Sequence, residues 1–195
     1  MKNILLLLFI LDCYNLQAQQ QYTIHDLKSG KFKDDSSYVY TLPFEKDKKV
    51  FLIQAYDSKM SHKNEIALDF KVKKGTRIYA AREGVVVSMR EDSGKGGLKE
   101  ENLSDGNFII IKHSDSSSAM YWHLQKNGVL VNIGDTVQKQ QLIGLSGNTG
   151  YSAFPHLHFE VQGNDANGDY KQLPTRFQTS KGIMYLFPAK FYRKP

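Results

Sequence analysis

No stretch of this chain sustains a helical period. Short β-branched and aromatic runs recur instead, at 49–56, 76–81, 84–90, 107–113, 119–124, 141–146, 156–162 and 182–187. Gly, Asn, Asp and Ser separate most of them. That rhythm predicts an all-β, mostly antiparallel sandwich or barrel. With 195 residues, the chain has room for one domain with a real core. A composition of 41% hydrophobic and 24% charged residues excludes a disordered chain, and Gly 15 with Pro 5 excludes a collagen-like one.

The first residues suggest export. Lys2 precedes the apolar run 4–11, and Leu16-Gln17-Ala18 supplies a small residue at a cleavage point. The apolar run is too short for a bilayer-spanning helix, which needs about 20 residues. The expected organisation is a secretory segment at 1–18, a polar lead-in at 19–37 and one domain at 38–195. The single cysteine, Cys13, falls inside the secretory segment, so no disulfide or thiolate metal site is expected in the mature chain. A lipid-attachment role for Cys13 is disfavoured by Asp12, since a small residue is wanted before such a cysteine. The chain is therefore expected in the periplasm or outside the cell, with no stable membrane anchor.

Net charge is +6. That balance favours an anionic partner. Export makes nucleic acid a poor candidate, and an acidic cell-wall polymer fits better. The segment 90–107 is polar and Gly-rich and reads as a long binding loop. A second polar stretch covers 163–181. No association motif is visible, so a monomer is expected.

Six histidines carry the chemical signal: His25, His62, His113, His123, His156 and His158. In Pro155-His156-Leu157-His158-Phe159-Glu160, a strand would project both imidazoles from one face and turn Leu157 and Phe159 to the core. At about 7 Å apart along the strand, the pair can serve one metal centre. The pair alone reads equally as two surface histidines.

His62 and Asp69 form a second constellation, an imidazole and a carboxylate with a six-residue loop between them. With His158 they would make two nitrogens and one oxygen. Three protein ligands plus water is the pattern of a catalytic zinc rather than a structural one. Alone, the same residues read as a loop histidine and an aspartate capping a turn. The third constellation is Met120-Tyr121-Trp122-His123-Leu124, where Tyr121 and His123 are expected to share a strand face. Such a histidine is ordinarily a core residue unless the other histidines lie close.

Taken in order, these segments resemble the lysostaphin/LytM-type zinc metallopeptidases, a family of peptidoglycan endopeptidases. The resemblance runs through Ser61-His62, Ala67-Leu68-Asp69-Phe70, Gly75 to Val86, Ile109 to His113, Tyr121 to Leu124, Gly134 to Val137, Gly144 to Gly150 and His156 to Glu160. It implies a compact β-sandwich or barrel-like peptidase domain with a groove over one sheet. It also implies one Zn2+ per chain, held by His62, Asp69 and His158, with His123 and His156 as the non-ligand catalytic pair. His113 matches a structural histidine of the family, and His25 lies outside the match. The family's usual first motif places three residues between His and Asp, and here six intervene. Glu65 is the alternative carboxylate.

The activity implied is hydrolysis of peptide bonds in peptidoglycan stems or cross-bridges by zinc-activated water. One imidazole would serve as base and one as oxyanion stabiliser, in an order the sequence leaves open. The alternatives are a wall-binding or activator module of the same fold without catalysis, a carbohydrate-binding β-domain and a zinc peptidase acting on a protein.

Overall fold

The structure, a computed structural model, describes residues 38–165 and 168–195 together with Asp26. The expected secretory segment with Cys13, His25 and the rest of the polar lead-in lie outside the described residues.

A nine-stranded sheet organises the molecule. Its main path runs Thr136–Val137, Gly84–Arg90, Phe108–Lys112, Ser118–Trp122, His156–Asn164, Ala67–Lys71, Lys49–Gln54, Lys190–Arg193. The ninth strand, Tyr170–Gln172, pairs with the far end of His156–Asn164, beyond the part that Ala67–Lys71 occupies. Every pairing in this sheet is antiparallel. Among the described residues, parallel pairing appears only in small sheets, between Val39–Thr41 and Arg176–Thr179 and between Gly96–Gly97 and Gly150–Tyr151. The all-β, mostly antiparallel expectation holds.

Strand alternation separates a core face from a site face. Leu68, Phe70, Leu157 and Phe159 are buried on the core side, together with Tyr121, Val50 and Leu52. A three-stranded sheet of Val39–Thr41, Arg176–Thr179 and Gly182–Met184 packs there through Tyr40 and Phe177. Phe159 meets Tyr121, Phe177 and Tyr40 at ring separations of 5.2, 5.7 and 6.2 Å. Burial of each such side chain stabilises the fold by about 1.5–3 kcal/mol. This pinned core face fixes which side chains face the other way.

Three segments differ from the sequence reading. The stretch between His62 and Asp69 is not loop throughout, because strand begins at Ala67. Its residues Ala67 to Phe70 are buried on both faces, so no alternation marks the strand. The 119–124 run is not one strand. It breaks at His123, whose φ is +64°, between Ser118–Trp122 and Leu124–Val129. Tyr121 therefore faces the core, and His123 does not share its face. The 90–107 segment is ordered by the Gly96–Gly97 strand and a 3-10 helix at Glu100–Asp105.

Candidate active site

The site grows from one row of directly paired residues. Across five neighbouring strands, Phe108 lies opposite Trp122, Trp122 opposite His158, His158 opposite Asp69 and Asp69 opposite Gln54. Residues paired this way face the same side of a sheet. The row continues through the Lys49–Gln54 strand because that strand's register shifts between Leu52 and Gln54. The bulge lets buried Leu52 serve the core while Gln54 meets Asp69.

The structure brings His62, Asp69 and His158 together. One donor atom from each lies within 4.8 Å of the others. Nε2 of His62 is 3.1 Å from Oδ2 of Asp69, and Nδ1 of His158 is 2.9 Å from Oδ1. The two imidazole rings are perpendicular, with centroids 5.1 Å apart. The six residues between His62 and Asp69 do not pull the donors apart. A turn returns the Glu65 amide to the His62 carbonyl at 3.0 Å, with Asn64 at φ +63°. Glu65 is not part of the converging triad.

This donor set fits zinc. Two imidazole nitrogens and one carboxylate oxygen leave a further position for water. The supporting contacts are built as well. Nδ1 of His62 meets the Ala67 carbonyl at 3.1 Å, which orients the ring so that Nε2 is the nitrogen turned to Asp69 and offered to a metal. Gln54 donates Nε2–H to Oδ2 of Asp69 and to Oγ of Ser61, both at 2.8 Å. Its Oε1 accepts from the Ser58 hydroxyl at 2.7 Å and the Ser61 amide at 3.1 Å. Buried Gln54 thus ties the carboxylate to the loop that carries His62.

His123 and His156 stand beside this triad. Their rings are 4.5 Å apart, and His123 is 5.9 Å from the His158 ring. Nδ1–H of His123 donates to the Thr149 carbonyl at 2.7 Å, and Nδ1–H of His156 to the Phe154 carbonyl at 2.8 Å. Both rings therefore keep an Nε2 lone pair, and that of His156 lies 3.6 Å from Oδ1 of Asp69. The left-handed backbone at His123 costs about 1–2 kcal/mol, and it turns the ring out of the strand direction. The Gly147–Gly150 turn receives that ring. Gly147 N–H donates to the His123 carbonyl at 2.8 Å. Gly150, at φ +79°, passes so near Gly106 that a Cβ would lie 2.7 Å from its Cα.

Electrostatics divide the roles. Burial opposes ionisation of Asp69, but hydrogen bonds and charge from His158 and His62 override it and hold the group well below the usual carboxylate range. Burial lowers His123 to about 3, helped by charge on His156 and His158. Burial also lowers His156, against the pull of Asp69. For His158 burial acts downward too, yet the Asp69 carboxylate lifts it to about 9. His123 and His156 are thus neutral acceptors at neutral pH. His113 is buried elsewhere, with Nδ1–H donated to the Glu83 carbonyl at 2.7 Å.

Gln54, Thr149 and the Phe108–Trp122 pair, with rings 4.5 Å apart, escaped the sequence reading. The run Met120-Tyr121-Trp122 did hold a signal for Trp122, since alternation puts it opposite to Tyr121.

A triad of two imidazoles and a carboxylate, flanked by two neutral imidazoles, is the arrangement of a hydrolytic metal site. The chain belongs to peptidase family M23, which it matches over residues 63–170. His62 lies one residue before that match. The peptidoglycan DD-endopeptidase ShyA of Vibrio cholerae is 36% identical over 124 residues, 63% of this chain and 26% of that protein. Lysostaphin of Staphylococcus simulans is 35% identical over 116 residues, 59% of this chain and 21% of its own. The chain thus spans about a quarter of the length of these relatives. Among solved structures, the M23 metalloprotease pseudoalterin from the deep sea superposes with a TM-score of 0.50 at 18% identity. That match covers 82% of this chain and 96% of pseudoalterin, and it shows the shared fold.

Proposed function

We propose that this chain is an exported, monomeric zinc endopeptidase that hydrolyses peptide bonds in peptidoglycan stems or cross-bridges, in the periplasm or outside the cell. The observation that carries the reading is the convergence of His62, Asp69 and His158 beside His123 and His156. Peptidoglycan as substrate rests on the names of the relatives, a DD-endopeptidase and lysostaphin among them. No helix among the described residues is long and apolar enough to cross a membrane.

His62, Asp69 and His158 would hold the zinc. Bound there, zinc would polarise the scissile carbonyl and acidify a water towards a pKa of about 7. The chain's own part is proton traffic. With Nδ1–H of His123 and His156 committed to backbone carbonyls, only Nε2 is left to exchange protons. One imidazole takes the water's proton as the oxygen adds to the carbonyl carbon. Once protonated, its Nε2–H can give that proton to the departing amine as the C–N bond breaks. A protonated ring can equally donate to the oxygen that gains charge. Phe108 and Trp122 border the row and offer an apolar wall to the substrate.

The test is metal content with wall digestion. Wild type should hold about one zinc per chain and release new amino termini from sacculi, and His158→Ala should do neither. A wild type that takes up zinc and cuts no wall chemotype would overturn the reading in favour of a binding or activator module.

A further inference from the structure

A second row of paired residues leaves the candidate site and ends in a basic cleft. His156 lies opposite Lys71, Lys71 opposite Phe51, and Phe51 opposite Phe191. The row crosses four strands on the site face and spans about 14 Å at about 4.8 Å per strand. Its members touch their surroundings as a platform would. Lys71 sits 4.1 Å over the Phe154 ring, next to His156. Phe51 and Phe191 pack with centroids 5.0 Å apart, and Phe191 is 57% exposed. Lys49 lies 4.6 Å over the Phe191 ring.

At the end of the row, a cleft of about 500 Å³ opens along the sheet edge. Lys49, Lys181, Lys190 and Arg193 line it, together with the two phenylalanines, and no acidic residue does. All four cations are exposed. Four like charges around one cleft repel each other, and an anion placed among them relieves that repulsion. An exposed Phe191 ring beside cations suits a ligand that alternates apolar and carboxylate groups.

We propose that this cleft is an accessory binding site for carboxylate-bearing segments of peptidoglycan, reached from the site along the His156–Lys71–Phe51–Phe191 row. The inference rests on the peptidase reading only for the identity of the ligand. The cleft holds a neighbouring part of the wall polymer while the bond to be cut lies at the histidines. It contributes to capture of the polymer and not to the chemistry.

The experiment is co-sedimentation of the full chain with purified sacculi, at low and raised salt, with poly-glutamate as competitor. Lys49→Glu with Lys190→Glu should weaken sedimentation about tenfold and remove most of its salt dependence. Zinc content and the cutting rate of a short uncharged peptide should stay at wild-type values, which also verifies that the variant is folded. Lys181→Glu alone should weaken sedimentation to a lesser degree. Sedimentation of the double variant equal to wild type would overturn the proposal, as would binding insensitive to poly-glutamate. If no preparation cuts any fragment but sedimentation still follows Lys49 and Lys190, the cleft stands and the peptidase reading falls.

Discussion

Gln54 reaches Asp69 across a bulged strand pair and donates its amide to Oδ2 at 2.8 Å. The same amide group binds Ser61, the residue before His62. Replacing Gln54 with Ala frees both the carboxylate and the loop. Losing such a supporting contact lowers metal affinity about 10–100-fold. Zinc titration against a chelating dye should show that loss in Gln54→Ala, and affinity at the wild-type level would remove Gln54 from the site's support.

The histidines should separate by readout. His158→Ala should abolish zinc binding, and added zinc should no longer raise its melting temperature, because nothing binds the native state selectively. His123→Ala should keep the zinc-induced rise in melting temperature and lose about 10²–10⁴ in turnover. A zinc-free His123→Ala protein would contradict this division.

Gly150 tests how His123 is held. Alanine there meets both an unfavourable φ of +79° and the Gly106 backbone. The strained conformation alone costs about 1 kcal/mol. Gly150→Ala should melt earlier and turn over more slowly, with zinc content unchanged. An unaltered melting curve and rate would show that the turn yields without disturbing the ring.

Acid should destabilise the fold partly through His113. Burial lowers its pKa, and Arg82 adds to that against the pull of the Glu83 carbonyl, Asp115 and the Glu83 carboxylate. Its Nε2 has no hydrogen-bond partner. A depressed histidine leaves the unfolded chain binding more protons once pH falls below about 6.5. Its contribution to stability is therefore intact above that pH and shrinks below it. His113→Asn retains an N–H for the Glu83 carbonyl and cannot titrate. Its melting temperature should fall less than that of wild type between pH 7.5 and 5, and equal slopes would rule His113 out as a source of acid sensitivity.

Much of the site could be read from residue order. Alternation in His156-Leu157-His158-Phe159 gives both the strand and its faces, because one side chain of each pair must enter the core. Asp69 was legible as a residue type but not as a strand residue, since Ala67 to Phe70 are buried on both sides and show no period. His123 was legible only through the family resemblance. Nothing local announces a left-handed histidine between two strands. Gln54 was invisible for a different reason. Its partner is set by a register shift, and register belongs to the pairing of strands rather than to either strand. The loop reading of 90–107 missed order that comes from elsewhere, because Gly96–Gly97 forms its pairing with Gly150–Tyr151, far along the chain.

The direct opposition of Asp69 and His158 has a consequence for assembly. These residues are 89 positions apart in the chain and meet only when their two strands are zipped in one register. A slip by a single residue would send one of the two side chains into the core. Partly folded forms therefore present scattered donors, and capture of an ion marks the moment when the central strands lock. Metal uptake would serve as a clock for this long-range pairing.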